Sequence, residues 1–235
     1  MISKRMALVG DALSHVALPG LALGILFGFY PFIGAFAFLA TSAVVTWQLQ
    51  KSTELPVESI IGVIFVLALA VGILITPQVD LLEALFGDVS NVTMADALIT
   101  VVVSAFVAGV LRAIYDKVTL VMISRELAVS SRINVDRINL VYLLLVSTIV
   151  ALGIKEVGTL LVGAVVIVPA AAARNVSSGL REFSLLSGIF GVISAVSGIA
   201  ASGYFALPAG PLVVLAGAIL FAAGLAFRSS ILNRA

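Results

Sequence analysis

Apolar runs of about twenty residues recur along the whole 235-residue chain, and charges, prolines and polar clusters cut them into eight. They cover 6–28, 32–50, 57–76, 95–115, 138–154, 157–173, 184–204 and 210–227. A helix of that length spans the hydrocarbon of a bilayer with every backbone group bonded internally. Strands are excluded because the runs are too long, lack period-two alternation and are rich in Ala, Leu and Gly. With 62% hydrophobic and 11% charged residues, there is no material for a second, soluble domain. The expected fold is all-α: one polytopic integral membrane domain over 1–235, with about eight transmembrane helices.

Eight spans put both termini on one side, and the loops then sort the cations. Lys4, Arg5, Lys51, Arg112, Lys117, Arg125, Arg132, Arg137, Arg174, Arg181, Arg228 and Arg234 share that side, and Lys155 alone lies opposite. The bias places both termini in the cytoplasm. The outer face then carries Asp80, Glu83, Asp88, Asp96 and Glu156, an acidic surface that concentrates cations. A formal charge of +1 leaves no basic field for nucleic acid. The absence of Cys removes thiolate metal sites, so metal chemistry here must use oxygen and nitrogen ligands.

Ionisable residues inside a span are costly and mark function. The first span holds two, in Gly10-Asp11-Ala12-Leu13-Ser14-His15-Val16-Ala17-Leu18-Pro19-Gly20, which contains the only histidine of the chain. Asp11 and His15 are four apart and share one helix face, where a carboxylate and an imidazole can bind one cation. Counted from Arg5, they lie about 9 Å and about 15 Å deep in a core about 30 Å thick. Pro19 has no amide hydrogen for the carbonyl of His15, which frees a further oxygen and favours a kink. A purely structural use is also compatible with the residues: Asp11 paired with a surface cation, His15 bonded to a neighbouring helix. Gly20 and Gly24 read as a packing face. Pro169 in Val166–Arg174 is expected to kink its helix, either to line a pathway or as packing alone tolerates, and Trp47, Tyr30 and Tyr204 read as interfacial anchors. The segment 116–137 is the longest cytoplasmic loop, and Ser124–Val129 within it suits a short amphipathic helix that docks a partner or lies on the lipid surface.

Together these segments resemble the permease subunits of ABC transporters that take up zinc, manganese or ferrous iron, the ABC-3 family. Lys4–Gly20 is similar to the family's arginine, Gly-Asp-x-x-Ser/Ala-His and glycine signature. Leu85-Phe86-Gly87-Asp88, Val157–Leu161, Ile167–Arg174 and Leu207–Pro211 resemble further elements in the same order. Two departures stand out. The family carries one more hydrophobic segment ahead of the arginine, so a first helix is expected to be missing here. In the cytoplasmic loop Glu126, Leu127 and Ala128 match, but Ser130-Ser131-Arg132 stands where a glycine is expected.

The resemblance implies the membrane subunit of an ATP-driven importer in a prokaryotic plasma membrane. Its partners would be a second permease copy, cytoplasmic ABC ATPase subunits and an extracytoplasmic metal-binding protein, in contact with membrane lipid and with no nucleic acid. No phosphate-binding Gly-x-x-x-x-Gly-Lys-Ser/Thr loop is present, so the chain is expected to be a transport subunit rather than an enzyme. No permanent cofactor is implied, only a transported divalent metal, zinc or manganese ahead of ferrous iron. Asp11 and His15 would line its path, and Arg125, Glu126, Leu127 and Ala128 would couple to the ATPase. The chief alternative is an ATP-independent cation carrier or channel. An intramembrane aspartyl protease is excluded by the order of Val9-Gly10-Asp11 and Tyr115-Asp116, and a zinc protease by the single His.

Overall fold

The computed structural model describes residue 12 and residues 14–53, 55–76 and 93–232, with the side chains of residue 57, residues 155–157, residue 160 and residues 227–232 left out. Among the described residues the secondary structure is helical, without strands. The helices are α1 (Leu18–Phe27, preceded by a helical turn over 14–16), α2 (Pro31–Ser52), α3 (Val57–Ile75), α4 (Met94–Ile123), α5 (Arg125–Ser130), α6 (Val135–Val176), α7 (Leu180–Phe205) and α8 (Ala209–Leu232). Among the described residues six segments are long and apolar enough to cross a membrane, and the two shorter apolar helices are Ser14–Phe27 and Leu161–Val176. The chain is an all-α, multi-pass membrane protein. Asp80, Glu83 and the Leu85–Asp88 element lie outside the described residues, as do Asp11 and both chain ends.

Local chemistry sets the helix ends. Pro31 opens α2 in the first turn, where its missing amide costs nothing. Thr93 and Asp96 cap α4 reciprocally: the Thr93 hydroxyl accepts from the Asp96 amide at 3.2 Å, and the Thr93 amide donates to the Asp96 carboxylate at 2.9 Å. Ser124 and Asn134 cap α5 and α6 by accepting from the amides of Leu127 and Arg137.

Two boundaries differ from expectation. Residues 116–123 are not loop but the last turns of α4, since no Pro or Gly interrupts them before Ser124. At about 1.5 Å per residue, a 30-residue helix outruns a bilayer core and projects beyond it. The second difference concerns α6, where Pro169 stays within the helix and the break falls at Gly158, with φ 75° and ψ 168°. Only glycine visits that region without strain. The break folds α6 back on itself, because a Cβ on Gly153 would overlap the Val162 side chain nine residues on. One run thus supplies two apolar helices, consistent with the cuts at 138–154 and 157–173.

The core gathers Val16, Ala17, Leu18 and Leu21 ahead of and within α1, Ala35, Leu39 and Ala43 of α2, Ile61 of α3, and Leu143, Val150, Ala151, Ile154 and Val162 of α6. α6 also packs on α4, α7 and α8. The small residues let backbones meet: a Cβ on Gly20 or on Gly34 would strike the other's carbonyl oxygen. α4, by contrast, leaves Leu98, Val101, Val102 and Phe106 exposed, as suits a lipid-facing helix.

Candidate metal path and docking helix

His15 occupies the helical turn ahead of α1, beside the fully buried Ser14 and the buried Val16, Ala17 and Leu18. Its ring packs on Phe65 of α3, with centroids 5.3 Å apart and planes tilted by 54°. Ala17 keeps helical angles, φ −71° and ψ −22°, so the apolar helix runs on over Ser14–Phe27, and Pro19 falls in the first turn of α1. The backbone at Pro19 is thus helical, within one turn of the imidazole, and the kink expected there is not seen. Asp11, its expected companion, lies outside the described residues. No group of three or more His, Asp or Glu that could hold a metal occurs among the described residues. A complete coordination set there would draw on Asp11, freed carbonyls or a second chain.

Next to this turn, Val16 and Pro19 line an open, mostly apolar groove of about 310 Å³ between α2 and α3, with Ser42 and Ala68 on its walls and the exposed Val45 and Leu67 at its mouth. Ser42 and Thr46, one turn apart on α2, are buried.

The second candidate group sits at α5. Ser124 both caps the helix and donates its hydroxyl to the Glu126 carboxylate at 2.7 Å. That bond, above all, holds the Glu126 carboxyl below the ordinary carboxylate range, with its own backbone amide and Arg125 acting in the same direction. Leu127 is 53% exposed and Val129 is exposed beside it. Ala128 is fully buried against the body of the protein, so the outward apolar knob is Leu127 with Val129, and Ala128 is the contact on which the helix rests. Where a glycine was expected, Arg132 adopts φ 57°, the left-handed conformation that closes the α5–α6 turn. The turn survives the departure because its amides are satisfied: Arg132 donates to Val129 at 2.9 Å and Ile133 to Ala128 at 3.0 Å.

Trp47 was read as an interfacial anchor, yet its indole N–H donates to the Asp136 carbonyl at 2.8 Å. A lone Trp near a helix end carries no sequence signal for a partner 89 residues away. Tyr30 likewise donates its hydroxyl to Asp96 at 2.8 Å, joining the start of α2 to that of α4.

The description of the ABC 3 transport family matches residues 1–228. The manganese transport system membrane protein MntC of Halalkalibacterium halodurans is 34% identical over 227 residues, covering 94% of this chain and 78% of that protein. The high-affinity zinc uptake system membrane protein ZnuB of Haemophilus influenzae is 29% identical, covering 94% and 87%. Among solved structures, PsaBC from Streptococcus pneumoniae in complex with Fab superposes with a TM-score of 0.80 at 29% identity, over 93% of this chain and 80% of that one.

Proposed function

The chain belongs to the ABC 3 transport family, and from that premise we propose that it is the membrane-spanning subunit of an ATP-driven importer for a divalent transition metal, zinc or manganese. The observation that carries the reading is the family match across the whole helical bundle, with the only histidine held at the core end of α1. Similarity to relatives named for manganese and for zinc supports both metals. Nitrogen and carboxylate oxygen ligands suit either ion.

In this reading the metal is cargo, taken by Asp11 and His15 in a water-poor interior and released toward the cytoplasm. The rim bearing Lys51, Arg125 and Asp136 faces the cytoplasm, in keeping with the cation bias of the loops. Leu127 and Val129 of α5 then present an apolar knob to an ABC ATPase, with Arg125 and Glu126 at its margin setting register more than affinity. A second permease copy completes the pathway, and an extracytoplasmic binding protein captures dilute metal at the acidic outer face.

One experiment tests both halves. Transporter assembled with its ATPase in proteoliposomes is assayed for zinc and manganese uptake, ATP hydrolysis and subunit co-purification. Asp11→Ala and His15→Ala are each expected to abolish uptake with membrane insertion and ATPase association retained. Leu127→Asp is expected to release the ATPase, because a charge placed in such a contact without a partner costs several kcal/mol, on the order of 3 to 5. Uptake at wild-type level in both path variants would remove Asp11 and His15 from the path. Metal uptake that proceeds without ATP would favour a carrier or channel instead.

A further inference from the structure

Three elements of the inner rim converge on one residue. The backbone carbonyl of Asp136, in the first turn of α6, accepts the Trp47 indole of α2. Its carboxylate lies 3.9 Å from the Lys51 ammonium of α2 and 3.7 Å from the Arg125 guanidinium of α5. The Lys51 ammonium in turn sits 3.8 Å above the Trp47 ring. These contacts differ in rigidity. The ion pairs are exposed, screened by salt and cheap to break. The indole bond is part-buried and runs between a stiff aromatic and a helix backbone, so it fixes where α2 lies against α6.

On the other side of Asp136, α5 cannot move far without α6. Only four residues separate them, bridged by the Arg132 and Ile133 amide bonds, and both Ala128 and Val135 are buried at the junction. Along α2, toward its opposite end, Ala43, Leu39 and Ala35 pack into the same core cluster as Val16, Ala17 and Leu18, which flank His15. Gly34 adds its backbone contact with Gly20. A displacement of α5 therefore has a continuous, tightly packed route to the His15 turn, and its narrowest link is the Trp47–Asp136 bond.

We propose that Trp47 is a positioning residue for energy coupling: by bonding the Asp136 carbonyl it makes α2 follow the α5–α6 junction, so that movement of the ATPase under α5 reaches the metal path at His15. The proposal rests on the reading of α5 as the ATPase-docking helix. Trp47 touches neither metal nor nucleotide in this scheme, and its loss leaves each site intact but unlinked.

The test uses the complete transporter in proteoliposomes and reads metal transported per ATP hydrolysed. Trp47→Phe keeps a six-membered ring under Lys51 and removes the N–H donor together with the five-membered ring that carries it. The expected result is normal assembly and basal ATP hydrolysis with the ratio lowered at least about fivefold, the small end of usual coupling between sites. Asp136→Asn keeps the carbonyl and is expected to stay within about twofold, as befits exposed ion pairs. A ratio in Trp47→Phe within twofold of wild type, while Leu127→Asp releases the ATPase, overturns the relay alone. An ATPase that stays bound to Leu127→Asp overturns the docking reading and the relay with it. Because the chain has no cysteine, Gln48→Cys with Ser131→Cys admits a spin-label pair without altering Trp47. The relay requires the distance between those labels to stay constant between nucleotide-free and ATP-bound transporter. A change between the two states would show that α2 does not follow α5, and would overturn the proposal even if Trp47→Phe failed to accumulate.

Discussion

The α1–α2 crossing and the α5 turn are held by opposite means. At the crossing, side chains have been removed: Gly20 and Gly34 bring two backbones together, and Val16, Leu18, Ala35 and Leu39 seal the contact. In hydrocarbon no apolar driving force separates helix from lipid, so close packing of small residues is what selects one neighbour over another. At α5 nothing comparable exists. A six-residue helix rests on Ala128 and keeps its shape through the Ser124 cap, the Arg132 turn and a few amide bonds. Bonds of that kind are each worth about 1 kcal/mol in the presence of water. The difference separates a tightly packed crossing from a lightly held turn within one chain, and the coupling proposed for α5 would use both.

The sharpest break of that contrast is Gly20→Leu. The obstructing atoms are the Gly34 carbonyl and its neighbours, which are backbone and cannot rotate away. A loss of about 3 kcal/mol is expected, the upper end for overpacking, seen as a lower midpoint in thermal unfolding of the detergent-solubilised protein. Gly109→Leu on α4 is the matched control, since nothing lies within 4 Å of its position. It is expected to change stability by no more than about 0.5 kcal/mol. A large loss at Gly109 would instead reveal that a second permease copy covers α4 in the assembled protein.

A smaller effect of opposite sign is expected at the α5 turn. Arg132 holds φ 57°, a conformation that costs an L-residue about 1 to 2 kcal/mol. Arg132→Gly removes that strain but gives the unfolded chain more freedom, worth about 0.5 to 1 kcal/mol. A net gain of roughly 0.5 to 1 kcal/mol follows, read as a higher unfolding midpoint. No gain would mean that the Arg132 side chain makes a compensating contact in the assembled transporter.

The two regions were also unequally legible. Spans follow from hydropathy, and wherever their residues are described the eight cuts fall on helices, because length and apolarity are local properties. What hydropathy does not carry is which helices are central. α4 is among the most apolar segments yet is the least covered, whereas α1 is short and sits in the core. Small residues were the better guide, as Gly20 shows. The reversal in α6 was legible from Lys155 and Glu156, which cut 138–154 from 157–173 beside Gly158, whereas Pro169, where a kink is expected, is accommodated within its helix. His15 was legible because an imidazole among aliphatics stands out. The tie between Trp47 and Asp136 was not, since it depends on a fold that brings residues 89 apart together. The burial of Ala128 was not legible either, because a six-residue helix has too little periodicity to declare its buried side.

The smallest effect should come from Glu126, at the exposed margin of α5. Its carboxylate accepts the Ser124 hydroxyl at 2.7 Å, which leaves the folded-state pKa below its unfolded value. With that sign, its contribution is fully present above the unfolded pKa and disappears only as the pH falls through the lower, folded value. Between about pH 6 and 8 the group is ionised in both states, so docking should not vary with pH on its account. Glu126→Gln keeps an acceptor for Ser124 and removes only the charge. Co-purification of the ATPase with this variant is therefore expected to fall by less than about twofold, in keeping with a solvent-exposed charge. Loss should deepen modestly at low salt, where a marginal charge steers association most. Release of the ATPase as complete as that expected of Leu127→Asp would show that Glu126 is buried in the complex, and that α5 docks through its charged edge rather than through Leu127 and Val129.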